Sequence, residues 1–209
     1  MMKKILYCVL TLTLGLVLSG SGCGPDPDPV PNPYDDAGVT IAGTVWATRN
    51  VGQPGQFAAT PESPGMFYKW NSKTGWSATD PLTSNPVGAS WSGFITISTV
   101  WASAYDPCPE EWQVPTRDQL DALVASGSVW DNTRKGRNYG SGLFLPAAGY
   151  RGVTTGSRSN EGVSGHYWAR DEQDDNNGRR LLFDDPLGGG TGLGYTLKGN
   201  GMSVRCVKK

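Results

Sequence analysis

An apolar run of 14 residues, ILYCVLTLTLGLVL from Ile5 to Leu18, follows the basic pair Lys3 and Lys4, and no later stretch of the chain is as densely hydrophobic. A bilayer-spanning helix needs roughly 20 such residues, so the run has the length of a signal-peptide core. From Gly24 to Asp36 the pattern inverts. GPDPDPVPNPYDD places prolines at 25, 27, 29, 31 and 33, which oppose helix and sheet ladders and favour extended polyproline II. From Val39 onward, short apolar groups alternate with Gly, Pro, Asn and Ser clusters, the pattern of short strands and turns. VTIAGTVWATRNV (39–51) predicts one or two strands and MFYKW (66–70) another. LFLPAAGY (143–150), GHYWAR (165–170), RRLLF (179–183) and MSVRCV (202–207) predict four more. DDNNG (174–178) predicts a hairpin turn, because Asn and Gly tolerate positive φ. Residues 71–104 carry Trp76, Trp91 and Trp101 in a Ser/Thr/Gly-rich setting with little periodicity and read as a long packed loop region.

One helix is predicted. Thr116 to Gln119 forms a capping box, and Leu120, Leu123 and Val124 fall on one face at i, i+3 and i+4. Gly127 ends it, Pro109 and Pro115 fix its approach, and Trp112 is expected to pack beneath it. One helix followed by many short strands implies an α+β domain over 39–209, behind a signal segment at 1–22 and a linker at 23–38.

Composition narrows the chemistry. The 209 residues include 29 Gly and 15 Pro, loop-rich but short of a disordered low-complexity chain. A formal net charge of −1 offers no basic field for phosphate, so no nucleic-acid partner is expected. A single His excludes any mechanism that needs two. Loss of Lys3 and Lys4 with a signal peptide would take the charge from −1 to −3.

The small residues Ser19-Gly20-Ser21-Gly22 followed by Cys23 resemble the lipobox of bacterial lipoproteins, whose cysteine is diacylated, with Gly20 where a leucine is usual. Ordinary secretion with cleavage nearby is the other reading. The Pro/Asp segment behind Cys23 would then be a tether reaching roughly 40 Å at about 3.1 Å per residue. Its aspartates resemble the surface-export signals of lipoproteins from the Bacteroidetes. Cys8 leaves with the signal peptide and Cys23 takes the lipid, so Cys108 and Cys206 remain as a pair in an oxidising compartment. A disulfide is the default there, with a thiol nucleophile or a metal site as alternatives. Lone cysteines without C-x-x-C spacing make zinc a poor fit.

Four segments together resemble a known family: DPCPEEWQVPTRDQLDAL (106–123), LPAAGYR (145–151), GHYWAR (165–170) and GMSVRCVK (201–208). In order and spacing they resemble the Fibrobacter succinogenes major paralogous domain of surface lipoproteins, over about residues 40–209. The departures are Ala169-Arg170 in place of two serines and a glycine run at Gly188 to Gly194. The resemblance implies a C-type-lectin-like fold, with paired terminal strands, one clear helix and long loops presenting a binding face. A Cys108–Cys206 bridge suits that fold. The related formylglycine-generating enzymes need a pair of active-site cysteines, which does not carry over. Variable proteins of diversity-generating retroelements are also similar, and residues 157–200 are rich in the Asn, Asp, Ser, Gly, Tyr and Arg that such diversification scatters. Ordinary polar loops account for that composition equally well.

The remaining candidate chemistry has bland readings beside it. His166 has no G-x-S-x-G elbow or reactive cysteine to serve and reads as a surface or strand-edge residue. QDDNNGRRLLFD (173–184) has the outline of a calcium loop, with Asp175, Asn177, Gly178 and Asp184, yet begins with Gln and is flanked by strands; it reads as a hairpin. The Glu-Pro-Asn, Gln-Pro-Asp and Trp-Asn-Asp runs of calcium-dependent lectins do not occur, and Trp130-Asp131-Asn132 has the wrong order. GGGTGLG (188–194) lacks the strand and helix of a phosphate loop and reads as a flexible loop.

The expectation is a non-catalytic lipoprotein on the outer membrane surface of a Gram-negative bacterium, without metal or cofactor, binding an external protein or glycan. The expected contacts are Arg170, Asp171, Glu172, Gln173, Asp174, Asp175, Asn176, Asn177, Arg180, Asp184 and Tyr195, an adaptable polar and aromatic set. A solvated mixed-charge surface is the plainer account of the same residues. Trp112, Trp168 and Leu145 are assigned to the core. The alternative function is a structural or tip component of a pilus or other envelope assembly.

Overall fold

The computed structural model describes residues 35–92, 98–186 and 190–209. The expected signal segment, the lipidation site Cys23, the tether as far as residue 34, and Gly188 and Gly189 lie outside the described residues.

Val39 to Val51 resolves into two strands, β1 (Val39–Ile41) and β2 (Thr44–Trp46), joined by Ala42 and Gly43 at φ 48° and 76°. Positive φ at both turn positions matches the twist of a tight hairpin. β3 (Met66–Tyr68), β4 (Gly75–Ser77) and β5 (Ser84–Asn85) form a second antiparallel sheet. Two of these strands lie inside the stretch expected to be loop. Cross-strand pairing of Phe67 with Trp76, and the edge-on contact of Trp76 with Trp91 at 4.9 Å, supply packing that a linear pattern does not display.

β6 (Trp112–Gln113) leads into α1 (Arg117–Ala125). The capping box is present. Thr116 Oγ1 accepts from the Gln119 amide at 3.2 Å, and Gln119 Oε1 accepts from the Thr116 amide at 2.8 Å. Gly127 follows at φ 81°. Trp112 is buried but not with the helix: it meets Phe57 edge-on at 5.4 Å in a different cluster from Leu120 and Leu123. β7 (Ser128–Asp131), β8 (Gly136–Tyr139) and β9 (Leu143–Pro146) make a meander, and β10 (Tyr150–Arg151) pairs with β11 (Arg158–Ser159).

The longest strands come next: β12 (Ser164–Glu172), β13 (Asn177–Asp184) and β14 (Thr191–Leu197), in the order β12-β13-β14, all antiparallel. The hairpin at 174–178 is present, but none of its non-glycine residues adopts positive φ. Asp174 Oδ1 instead accepts the amides of Asn176 and Asn177, both at 2.9 Å, so a side chain closes the turn. Thr191 to Gly194, expected to belong to a flexible glycine loop, lie in strand β14. MSVRCV is mostly not strand: Met202 bridges to Tyr68, Ser203 bridges to Tyr167, and only Val207 joins β15 (Val207–Lys208). β15 lies between β2 and β6 through Trp46–Val207 and Val207–Gln113.

The α+β, C-type-lectin-like expectation is therefore overturned. The described residues form several small antiparallel sheets with a single α-helix, a mostly β architecture. The physical reason is that only one nine-residue segment has helical periodicity, while polar and glycine-rich segments read as loops find strand partners.

β12 divides the core. Tyr167 points into a cluster with Leu120, Leu123, Leu181 and Phe183; Trp168 points the other way, among Trp70, Trp101 and Cys206. Leu145 and Trp168 are buried, as expected. The Cys108–Cys206 disulfide is formed, with Cα atoms 6.0 Å apart, and ties the approach to β6 to the approach to β15. Two arginines from the quoted motifs are fully buried. Arg151 donates to the carbonyls of Ser77 (2.7 Å), Gly156 (2.5 Å) and Thr79 (2.7 Å). Arg205 donates to Asn50 Oδ1 (2.9 Å) and to the carbonyls of Ala47 and Phe144 (3.1 Å each). These two arginines hold loops to sheets, and neither lines the groove described next.

Candidate functional site

The register of β12-β13-β14 assigns side chains to faces. On one face Tyr167, Leu181, Phe183 and Leu193 turn toward α1 and the core. The other face carries Ser164, His166 and Trp168 on β12, Gly178, Arg180, Leu182 and Asp184 on β13, and Gly192, Gly194 and Thr196 on β14. Its Trp168 end is closed, because Trp70 packs so tightly on Gly178 that a Cβ there would fall 2.5 Å from the indole. Its far half is open. A Cβ on Gly190, Gly192 or Gly194 would meet nothing within 4 Å. Two cavities of about 280 and 290 Å³ share Leu182 and Asp184 and together make a groove, and the second is lined by Gly190, Gly192 and Gly194. Tyr150, Asn160, Thr196 and Asn200 line the end nearest Arg180.

At the floor of this groove Arg180 Nη1 lies 2.5 Å from His166 Nδ1, and His166 Nε2 lies 2.8 Å from Ser164 Oγ. Tyr150 covers the imidazole at 4.8 Å between ring centroids. A guanidinium only donates, so Nδ1 is the acceptor and the ring proton sits on Nε2, directed at Ser164. Burial, with help from the Arg180 charge, pulls His166 down from 6.5 to about 3, which keeps the ring neutral. A nucleophilic serine needs a histidine nitrogen that accepts its proton; here the serine faces the protonated nitrogen of a very weak base. The chain is thus wired to fix Arg180 in place, not to activate Ser164. Burial also lowers Arg180, which stays cationic, and its Nε is enclosed without a hydrogen-bond partner. Neither Arg180 nor Asp184 has an ion-pair partner among the described residues.

The structure splits the expected contact set. Arg180 and Asp184 lie in the groove. Tyr195 pairs with Arg179 and points to the opposite face, 58% exposed. Arg170 lies elsewhere, in a cavity of about 430 Å³ beside the disulfide, where it donates to Gln113 Oε1 at 2.8 Å. Asp171 accepts the first amide of α1, from Arg117, at 2.5 Å. Glu172 holds the buried Lys198 at 2.6 Å. Gln173, Asp174 and Asn177 build the hairpin turn, and Asp175 and Asn176 are exposed at its tip. A break in register between Trp168 and Glu172 separates Arg170 to Glu172 from the groove residues.

His166, expected at the surface or a strand edge, is 5% exposed; partners two residues away and across a strand bury it. Asp175, at the tip of the turn before β13, and Asp184, the last residue of β13, are held apart by the eight-residue strand, roughly 25 Å of extended chain, which separates two ligands of the calcium-like pattern. The groove residues missed from the sequence are Leu182, Thr196, Tyr150, Asn160 and Asn200. Only Leu182 carried a signal, through alternation with Arg180 along the predicted strand RRLLF.

No family model, curated protein or solved structure matches the chain.

Proposed function

We propose that this protein is an envelope-anchored binding protein, held outside the cell by a lipid on Cys23, whose groove on the β12-β13-β14 sheet takes an external protein or glycan ligand. The observation that carries the reading is the bare half of that face. Three alternate glycines clear the space above Arg180, Leu182 and Asp184, and both charged groups lack ion-pair partners among the described residues. A concave patch with a few convergent polar groups is the usual form of a binding site. The basic pair, the apolar run, Cys23 and the Pro/Asp segment support export and tethering. The four-segment resemblance to domains of surface lipoproteins supports the same location. The reading is non-catalytic, in keeping with the reversed Ser164–His166 pair.

The test is to probe glycan arrays and peptide-display libraries with the full chain and with Gly192→Leu, which fills the groove where nothing stands within 4 Å. Binding that Gly192→Leu abolishes while the unfolding midpoint holds is the expected result. Ligands bound equally by both proteins would overturn the site.

A further inference from the structure

We infer that the ligand is an extended polypeptide segment of another protein, which adds as a fourth strand along the outer edge of β14 and turns alternate side chains into the groove. The inference rests on the binding reading above and specifies its ligand.

β14 is the last strand of its sheet. Its ladder with β13 has one register throughout. The Lys198 amide donates to the Asn176 carbonyl at 2.9 Å and the Asp184 amide to the Gly190 carbonyl at 3.4 Å. Between those ends the hydrogen-bonded positions are the even ones, so Gly192, Gly194 and Thr196 spend their backbone groups on β13. Thr191, Leu193 and Tyr195 turn theirs outward, and among the described residues these groups have no backbone partner. Natural sheets protect such an edge with proline, lysine, a bulge or a covering element. β14 has no proline, no charged residue and no register break, and α1 lies on the sheet's other face. An unprotected edge is the template that strand addition uses.

The groove says what the added strand brings. Strands lie roughly 5 Å apart, so a residue opposite Gly194 sits about 10 Å from the backbone of Arg180, with no side chain between them. A long acidic side chain there points across the empty Gly194 position toward the positive charge of Arg180, whose Nη1 is held by His166 on β12. A residue opposite Gly192 covers Leu182, and one opposite Gly190 reaches Asp184. The complementary strand reads acidic, apolar, basic at alternate positions. A second copy of β14 would bring glycines to those positions and answer neither charge. The Pro/Asp tether contains no Lys or Arg to meet Asp184.

The probe is a displayed library of random linear peptides panned on the full chain, followed by a synthetic peptide of the enriched sequence. The expected result is enrichment of the acidic–x–apolar–x–basic spacing. Binding of the synthetic peptide falls ~10-fold or more in Tyr195→Pro, which removes an outward amide that β13 does not use. Arg180→Gln erases the acidic preference while binding persists. N-methylation of one alternate set of peptide amides abolishes binding and that of the other set does not, a readout that leaves the protein unaltered. Peptides that bind Tyr195→Pro as tightly, or equal tolerance of both methylated sets, would overturn strand addition. A glycan ligand lost in Gly192→Leu but kept in Tyr195→Pro overturns it too, while the binding reading stands. Concentration-dependent dimerisation abolished by Tyr195→Pro assigns the edge to a second copy and overturns the proposal.

Discussion

Gly165 and Phe183 face each other across the β12–β13 ladder, and the ring of Phe183 occupies the space that any side chain on residue 165 would need. Gly194, one strand further on, has nothing near it. We expect Gly165→Ala to cost about 1–3 kcal/mol through overpacking. Gly194→Ala should leave stability unchanged or raise it by up to about 1 kcal/mol, since a strand glycine carries an entropic cost. Urea unfolding of both variants checks the contrast; equal losses would mean that the β14 face is packed.

Arg205 is a fully buried cation whose three acceptors have no water to turn to. Arg205→Met should destabilise the fold by about 3 kcal/mol or more, because several oxygens lose their donor at once. The exposed Arg117, paired with Asp121 at i,i+4, is the control, and Arg117→Met should change stability by less than about 0.5 kcal/mol. Chemical denaturation distinguishes the two.

His166 has a folded-state pKa near 3 against 6.5 for the free side chain. Between those values the unfolded chain binds a proton that the folded chain refuses. Its contribution is therefore complete above pH 6.5 and is lost as pH falls toward 3, at up to about 1.4 kcal/mol per pH unit. His166→Gln keeps hydrogen-bonding capacity without titrating. The stability difference between wild type and this variant should shrink on acidification through that window, and a difference independent of pH would contradict the burial of a neutral imidazole.

The bond between Cys108 and Cys206 spans 98 positions. Chain-entropy arguments assign a crosslink of that length about 4–5 kcal/mol. A thiol reductant should lower the guanidinium midpoint of the wild type to that of Cys108→Ser/Cys206→Ser and leave the double variant where it was.

What could be read from the sequence was local. The helix was legible because Thr116, Gln119 and the Leu120/Leu123 spacing all act within one turn or two. Residues 39–51 left one strand or two open, and Ala42-Gly43 gave the reversal only in the structure, whereas the hairpin at 174–178 announced itself through its turn residues. β14 did not, since Gly190, Gly192 and Gly194 carry the composition of a loop; only pairing with β13 makes them a strand. The meander over 128–139 was missed for a related reason: its polar strands turn at Arg134-Lys135, with Lys135 at φ 54°, where no Asn-Gly marks the reversal. For the candidate site, Arg180 and Asp184, which the groove brings together, were singled out by residue type. Tyr195 was grouped with them, and only register, not proximity in sequence, shows that it lies on the opposite face of the sheet.

Trp46 of β2 pairs with Val39 of β1 on one side and with Val207 of β15 on the other, so the first and last described strands lie two strand spacings apart in one sheet. This makes the region portable. Spliced into a surface loop of an unrelated host, it would ask the host backbone to open by two strand spacings, roughly 10 Å, and the groove would arrive intact as a graft held at a single doorway.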